Sequence, residues 1–182
     1  MQTSWRDVSG LIQWILKMLS DHPVWVARLR EEPACLEQEA EGQAKGLATR
    51  VVMETLRLEQ SDYLMRRALE EIKVGDFVIL KGRLLRICVR ESHRSAEVFA
   101  DPERFNPDRF LTCSPPRSEY SPFGASRVSC LGEHFTIMMG RIFASEIARG
   151  FDWKVIEDGP REYDGFHWKP SSRLRLCLTP RL

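Results

Sequence analysis

The sequence has no excess of one charge, no paired cysteines and no long apolar run. Lysine plus arginine number 27 and aspartate plus glutamate 26 in 182 residues. That balance supplies no field to draw the chain to nucleic acid or an anionic membrane, so no nucleic-acid partner is expected. Its five cysteines, Cys35, Cys88, Cys113, Cys130 and Cys177, are odd in number and widely spaced. Without a C-x-x-C pair, neither a zinc site nor a thioredoxin-type motif is indicated. Free thiols fit a reducing compartment, which favours the cytosol or the cytoplasmic side of a membrane. The longest apolar stretch near the start, LIQWILKML, contains Lys17 and is too short to span a bilayer. Met1 to Asp7 is polar and lacks a cationic start leading to a small-residue cleavage site, so no secretory signal is expected. Phosphate-binding, zinc-protease, nucleophile-elbow and dinucleotide motifs are absent as well.

What is present suits one ordinary domain: 43% of residues are hydrophobic, enough for a real core. Val8, Leu11, Ile12, Ile15 and Leu19 fall on helical spacing and predict a first helix that ends before SDHP. Pro23 suits the first turn of a second helix running to about Glu32, with Ser20 or Asp21 near its cap. Residues 33–45 read as a polar connector, and a third helix follows from Leu47 to Leu58. Residues 72–80 and 84–90, rich in Val, Ile and Leu around LKGR, predict a β-hairpin with Leu85, Ile87 and Val89 on a half-buried face. From Glu97 to Pro116 the density of Pro, Asp, Arg and Phe predicts an ordered but irregular meander. A last helix begins right after Cys130, with Leu131, Phe135, Met138, Met139 and Ile142 as its apolar stripe and Gly150 as its stop. The tail has turns at Gly159-Pro160 and Lys169-Pro170, then RLRLCL as an alternating strand.

The loop SPFGASRVSCLG brings one thiol to the start of that last helix. Unpaired backbone N–H groups and the helix dipole there favour negative charge and stabilise a thiolate. Small residues around Gly124 let the backbone approach a flat ligand, and Phe123 supplies an apolar shield. A cysteine in such a place is, taken alone, more often a buried structural residue. Glu54 and Arg57, alone, read as a solvated helix pair contributing about 0.2–0.5 kcal/mol. Arg109, in FADPERFNPDRFL, has the guanidinium geometry to meet a carboxylate in two places.

The order of these pieces resembles the cytochrome P-450 family: E-x-x-R on a helix, a hairpin, HRSAEVFADPERFNPDRF, then F-G-x-x-x-x-x-C-x-G opening a helix. LIQWILKMLSDHP also resembles that family's segment after its oxygen-activating helix. The resemblance covers nearly the whole chain. It implies a mainly α fold with small β-sheets, the C-terminal portion of the family fold, with residues 1–182 as a single partial domain that binds haem b. It implies that Cys130 is the axial thiolate on haem iron, which pushes electron density onto the metal and favours O–O cleavage. It also implies that Glu54, Arg57 and Arg109 form a structural triad locking the meander beneath the haem. Phe123 would pack near the thiolate, and Gly132 would be the glycine that follows the ligand. Arg67 falls where members often contact a haem propionate; an exposed strand-end charge is the equal alternative. His93 and Arg94 match a recurrent HR before the meander and take a structural role. His22, His134 and His167 show no ligand spacing.

Two loop positions depart from the family. Ser126 stands where glycine is usual, and Val128 where a propionate-facing cation is usual; Arg127, one position earlier, is left to supply that charge. A complete member is more than twice this length, and the distal wall and substrate-recognition loops are missing from the match. Asp7 lies about where the family's proton-delivering Thr falls, so no catalytic residue is identifiable. The expected function is a haem-thiolate monooxygenase acting on a small organic substrate, with electrons from a redox partner protein. The alternatives are a catalytically incompetent relative serving as a binding or scaffold protein, a chain needing a second polypeptide over the last helix, or a gene fragment.

Overall fold

The computed structural model describes residues 3–32, 45–60, 63–125, 129–163 and 167–181. The connector Pro33 to Ala44, Cys35 within it, and Ser126, Arg127 and Val128 lie outside them. So does the side chain of Asp7.

Helix α1, Thr3–Asp21, places Leu11, Trp14, Ile15, Met18 and Leu19 on one buried face, the i, i+3, i+4, i+7, i+8 pattern of a core-facing helix. It runs through Asp21, past the expected end, where Lys17 pairs with Asp21 at 2.6 Å across its last turn. Helix α2, Pro23–Glu31, has Pro23 in its first turn, where a missing N–H costs nothing. Its cap is His22, which makes no side-chain cap bond; Ser20 instead donates to Leu16 O within α1. His22 stacks on Phe105 at 5.1 Å.

Helix α3, Leu47–Thr55, continues as a π-helical turn over Leu56–Gln60, so the third helix changes pitch where it was expected to end. Helix α6, Glu133–Gly150, packs against α1, α2 and α3. The face it turns inward carries small residues, Gly140, Ala144, Ser145 and Ala148, beside Arg141 and Ile147. A Cβ on Gly140 would lie 2.9 Å from Val52 Cγ2 and 3.2 Å from Ile15 Cδ1, and Ala144 and Ala148 are fully buried. The stripe expected from sequence lies elsewhere: Leu131 precedes the helix, and Leu131, Phe135 and Met138 are exposed.

The hairpin expected between 72–80 and 84–90 does not form. Strands β2, Ile72–Val74, and β3, Phe77–Ile79, pair with each other. Gly75, at φ +57°, turns the chain between them, as the first central position of a tight hairpin turn requires of glycine. Strand β4, Leu84–Cys88, pairs instead with β1, Tyr63–Arg67, a strand the sequence pattern did not reveal. Its alternation is also not a half-buried face: Ile87 is exposed, and Val89 begins a short helix, α4, Val89–Ser92. The meander is irregular apart from α5, Arg109–Thr112. In the tail, β5, Phe151–Glu157, pairs with β8, Arg175–Pro180, and β6, Glu162–Tyr163, pairs with β7, Trp168–Lys169. Among the described residues no helix is long and apolar enough to cross a membrane.

Candidate functional site

The site begins with a carboxylate that has no contact with water. Glu54 and Arg57, three positions apart on α3 and its π turn, are both fully buried. Arg57 Nε donates to Glu54 Oε2 at 2.8 Å and Nη2 to Oε1 at 2.9 Å. Arg109 Nε donates to the same Oε1 at 3.0 Å, and so does the Asn106 amide at 2.9 Å. A buried carboxylate is costly unless its lone pairs are met, and these four donors meet them. The spare guanidinium nitrogens hold carbonyls of the meander and of His93 just before it. Arg57 Nη1 donates to His93 O at 2.7 Å, and Arg109 donates to Ala100, Asp101 and Arg104. Asp101 has the left-handed φ of +48°, a conformation that needs external support in a non-glycine residue. Arg109 holds its carbonyl. The three residues thus come together, and the E-x-x-R pair is a core element rather than a solvated surface pair.

A second carboxylate braces the same segment. Asp108 accepts from Arg28 of α2 at 2.7 and 3.1 Å, and from Arg50 of α3. The hydrogen bonds from Arg28 lead the causes that hold its carboxyl below the usual aspartate range. Nothing in the sequence pointed to this knot, because Arg28 and Arg50 lie 80 and 58 positions from Asp108.

The thiol loop hangs from this frame. Ser121 N–H donates to His93 Nε2 at 2.9 Å, Gly124 N–H to Ser121 O at 3.0 Å, and Cys130 N–H to Phe123 O at 2.8 Å. Gly124 turns the chain at φ +80°, where L side chains are strained. Arg117 Nη1 donates to Gly124 O at 3.3 Å, while its Nη2 lies 2.9 Å from both oxygens of Glu133 in the first turn of α6. Tyr120 donates its hydroxyl to Met53 O at 2.8 Å; burial keeps this phenol protonated well above its usual range.

Cys130 is exposed, with its backbone fixed and Gly132 beside it. A Cβ on Gly132 would come 3.7 Å from Sγ, so the glycine keeps one flank of the sulfur clear. Phe123 is half-buried and packs on the core. Arg67 is an exposed residue of β1 whose Nη1 donates to Gly82 O at 2.8 Å, and Arg127 lies outside the described residues. A groove of about 850 Å³ between α3 and α6 is lined by Met53, Arg117, Phe123, Phe135 and Met138 among others; Cys130 is not among its lining residues. Among the described residues no group of three or more His, Cys, Asp or Glu has the arrangement to hold an ion. Cys130 offers one sulfur bond, which suits a metal that brings its other ligands with it, as a porphyrin-held iron does.

A family model described as cytochrome P450 matches residues 8–177. Cytochrome P450 714B3 of Zea mays is 35% identical over 177 residues, covering 93% of this chain and 32% of the relative. The cytokinin hydroxylase of Arabidopsis thaliana is 32% identical, covering 86% of this chain and 32% of its own length. The solved structure of a retinoic acid-bound cyanobacterial CYP120A1 superposes with a TM-score of 0.81 at 24% identity, over 96% of this chain and 43% of that one. The chain therefore spans about a third of the curated relatives' length.

Proposed function

The chain belongs to the cytochrome P450 family, whose members are haem-iron enzymes, and from that premise we propose that Cys130 is its haem-iron ligand. In this reading residues 1–182 form one partial domain, the haem-binding C-terminal portion of a monooxygenase. The observation that carries it is an exposed sulfur on a loop whose backbone is tied down at Ser121, Gly124 and Cys130 itself. Bound haem supplies the oxygen-activating redox chemistry. The work of the protein is mechanical and electrostatic. Phe123 O and the α6 terminus orient Cys130, Gly132 leaves its flank open, and Glu54, Arg57 and Arg109 keep the meander from shifting beneath the loop. Arg67 and Arg127 are the candidates for propionate contacts. Several relatives are hydroxylases by name, which supports hydroxylation of a small organic substrate with electrons from a redox partner protein. The free thiols support a reducing, cytosol-facing location.

The test is a haem titration of the purified chain, followed by the absorbance of the reduced CO complex. A thiolate-type Soret band is expected for the native chain and its loss for Cys130→Ala. Persistence of the band in that variant would show another ligand.

A second reading is favoured by the exposure of Leu131, Phe135 and Met138 around the start of α6. An apolar surface of that kind marks an interaction site, and in this reading a second polypeptide covers it. Turnover of substrate by the isolated, haem-loaded chain counts against this arrangement.

A further inference from the structure

We propose that His93 is the positioning residue that sets the start of the thiol loop, acting through the acceptor on its Nε2. The functional meaning of this role rests on the haem-thiolate reading of Cys130.

His93 is fully buried and touches both halves of the site. Its carbonyl accepts from Arg57 Nη1 at 2.7 Å, which ties it to the Glu54 carboxylate. Its imidazole Nε2 accepts from the Ser121 amide at 2.9 Å, which ties it to the loop. From Ser121 the order passes along the backbone. Ser121 O receives Gly124 N–H, and Phe123 O receives Cys130 N–H. Tyr120 lies against the imidazole at 5.0 Å between centroids, one wall of the fully buried ring's packing.

An accepting Nε2 assigns the proton to Nδ1 and makes the ring neutral. The charged and titratable groups facing it are Arg57 and Tyr120. Burial, then the nearby Arg57 charge, keep it uncharged, with a value of about 4. Nδ1 itself is buried and has no hydrogen-bond partner among the described residues. A lone buried donor is a cost that a phenylalanine or leucine would not incur. Packing alone therefore does not explain a histidine here. What it supplies that an apolar ring does not is an acceptor aimed at Ser121.

Two variants separate this role from simple core filling. His93→Phe fills the space without an acceptor; His93→Gln places a carbonyl oxygen within reach of the same amide. Hydrogen exchange is followed in the purified, haem-free chain at Ser121, Gly124 and Cys130. The Asn106 amide, bonded to Glu54 instead, is the internal control. His93→Phe should speed exchange at the three loop amides about tenfold, as loss of one buried hydrogen bond implies, and leave Asn106 unchanged. His93→Gln should retain native protection throughout. The proposal is overturned if His93→Phe leaves the loop protected, if Asn106 loosens as much as the loop, or if His93→Gln behaves like His93→Phe or does not fold. Should His93→Phe itself fail to fold, His93→Gln decides. Because no haem enters the measurement, a failed haem titration and a failed positioning role give separate signatures.

Discussion

Glu54 and Arg109 are 55 positions apart in the chain and 3.0 Å apart in the fold, on a carboxylate oxygen that also receives Arg57 and the Asn106 amide. The contact joins a core helix to the meander. It makes the meander's conformation depend on one buried charge.

Neutralising that charge should be severe. Glu54→Gln keeps the shape but leaves Arg57 and Arg109 without a counter-charge, and breaking a buried pair in this way costs about 3–5 kcal/mol. A typical domain has about 5–15 kcal/mol in total, so the variant is expected to unfold at much lower denaturant or to remain insoluble. Arg109→Lys should be milder but clearly destabilising, because an ammonium cannot reach Glu54, Ala100 and Arg104 together. Urea melts of the three proteins would rank them; a Glu54→Gln midpoint equal to that of the native chain would contradict the buried network.

The contact of α6 with α1 and α3 sets a steric prediction. Gly140→Ala adds a methyl group 2.9 Å from Val52 Cγ2, a distance real side chains do not adopt. Relief requires Val52 and Ile15 to leave their places or α6 to move away from them, at a cost of about 1–3 kcal/mol. Because α6 follows directly on the Cys130 loop, displacement of the helix by this variant should also lower haem affinity. Gly150→Ala, with nothing within 4 Å of its Cβ, is the matched control and should be close to neutral.

Stability should fall on mild acidification because of His93. In the fold the imidazole is held down to about 4 from an ordinary 6.5, while the unfolded chain protonates at the ordinary value. The unfolded state therefore binds the extra proton first. The contribution is complete above pH 6.5 and is lost as pH falls from there to about 4, amounting to about 3 kcal/mol. His93→Gln should flatten that part of the stability curve. An unchanged slope in the variant would assign the acid loss to other groups.

How far the sequence could be read depended on whether the deciding forces were local. Leu11, Trp14, Ile15, Met18 and Leu19 bury on the helical period they display, and Pro23 opens a helix as its ring geometry dictates. Glu54 and Arg57 were visible as a pair, but their burial was not, because it comes from elements far along the chain. The hairpin was misplaced for a physical reason. Gly75-Asp76 closes the shorter turn, and that leaves β4 to find β1, a pairing no local pattern encodes. The apolar stripe of α6 misled similarly. Close helix packing selected Gly140, Ala144 and Ala148, which carry little hydrophobic signal, while Phe135 and Met138 of the expected stripe faced outward. The Ser121–His93 bond had no signature beyond the HR pair itself.

Asp108 offers the last prediction. It accepts from Arg28, which is partly exposed, and from Arg50, whose side chain is only 5% exposed. The two arginines bring α2 and α3 to one point of the meander through the same carboxylate, so their removal should not be additive. Arg28→Ala leaves Arg50 paired with Asp108, and with its exposed geometry should cost less than about 1 kcal/mol. Asp108→Ala leaves the Arg50 guanidinium largely buried with Lys45 O and the more distant Glu32 as partners, and should cost about 1–3 kcal/mol. Once Asp108 is alanine, adding Arg28→Ala should cost nothing more. A double-mutant cycle by chemical denaturation reads the difference directly. Simple additivity of the two changes would mean that Arg28 is held by Trp25, over whose ring it lies at 4.6 Å, and not by the carboxylate.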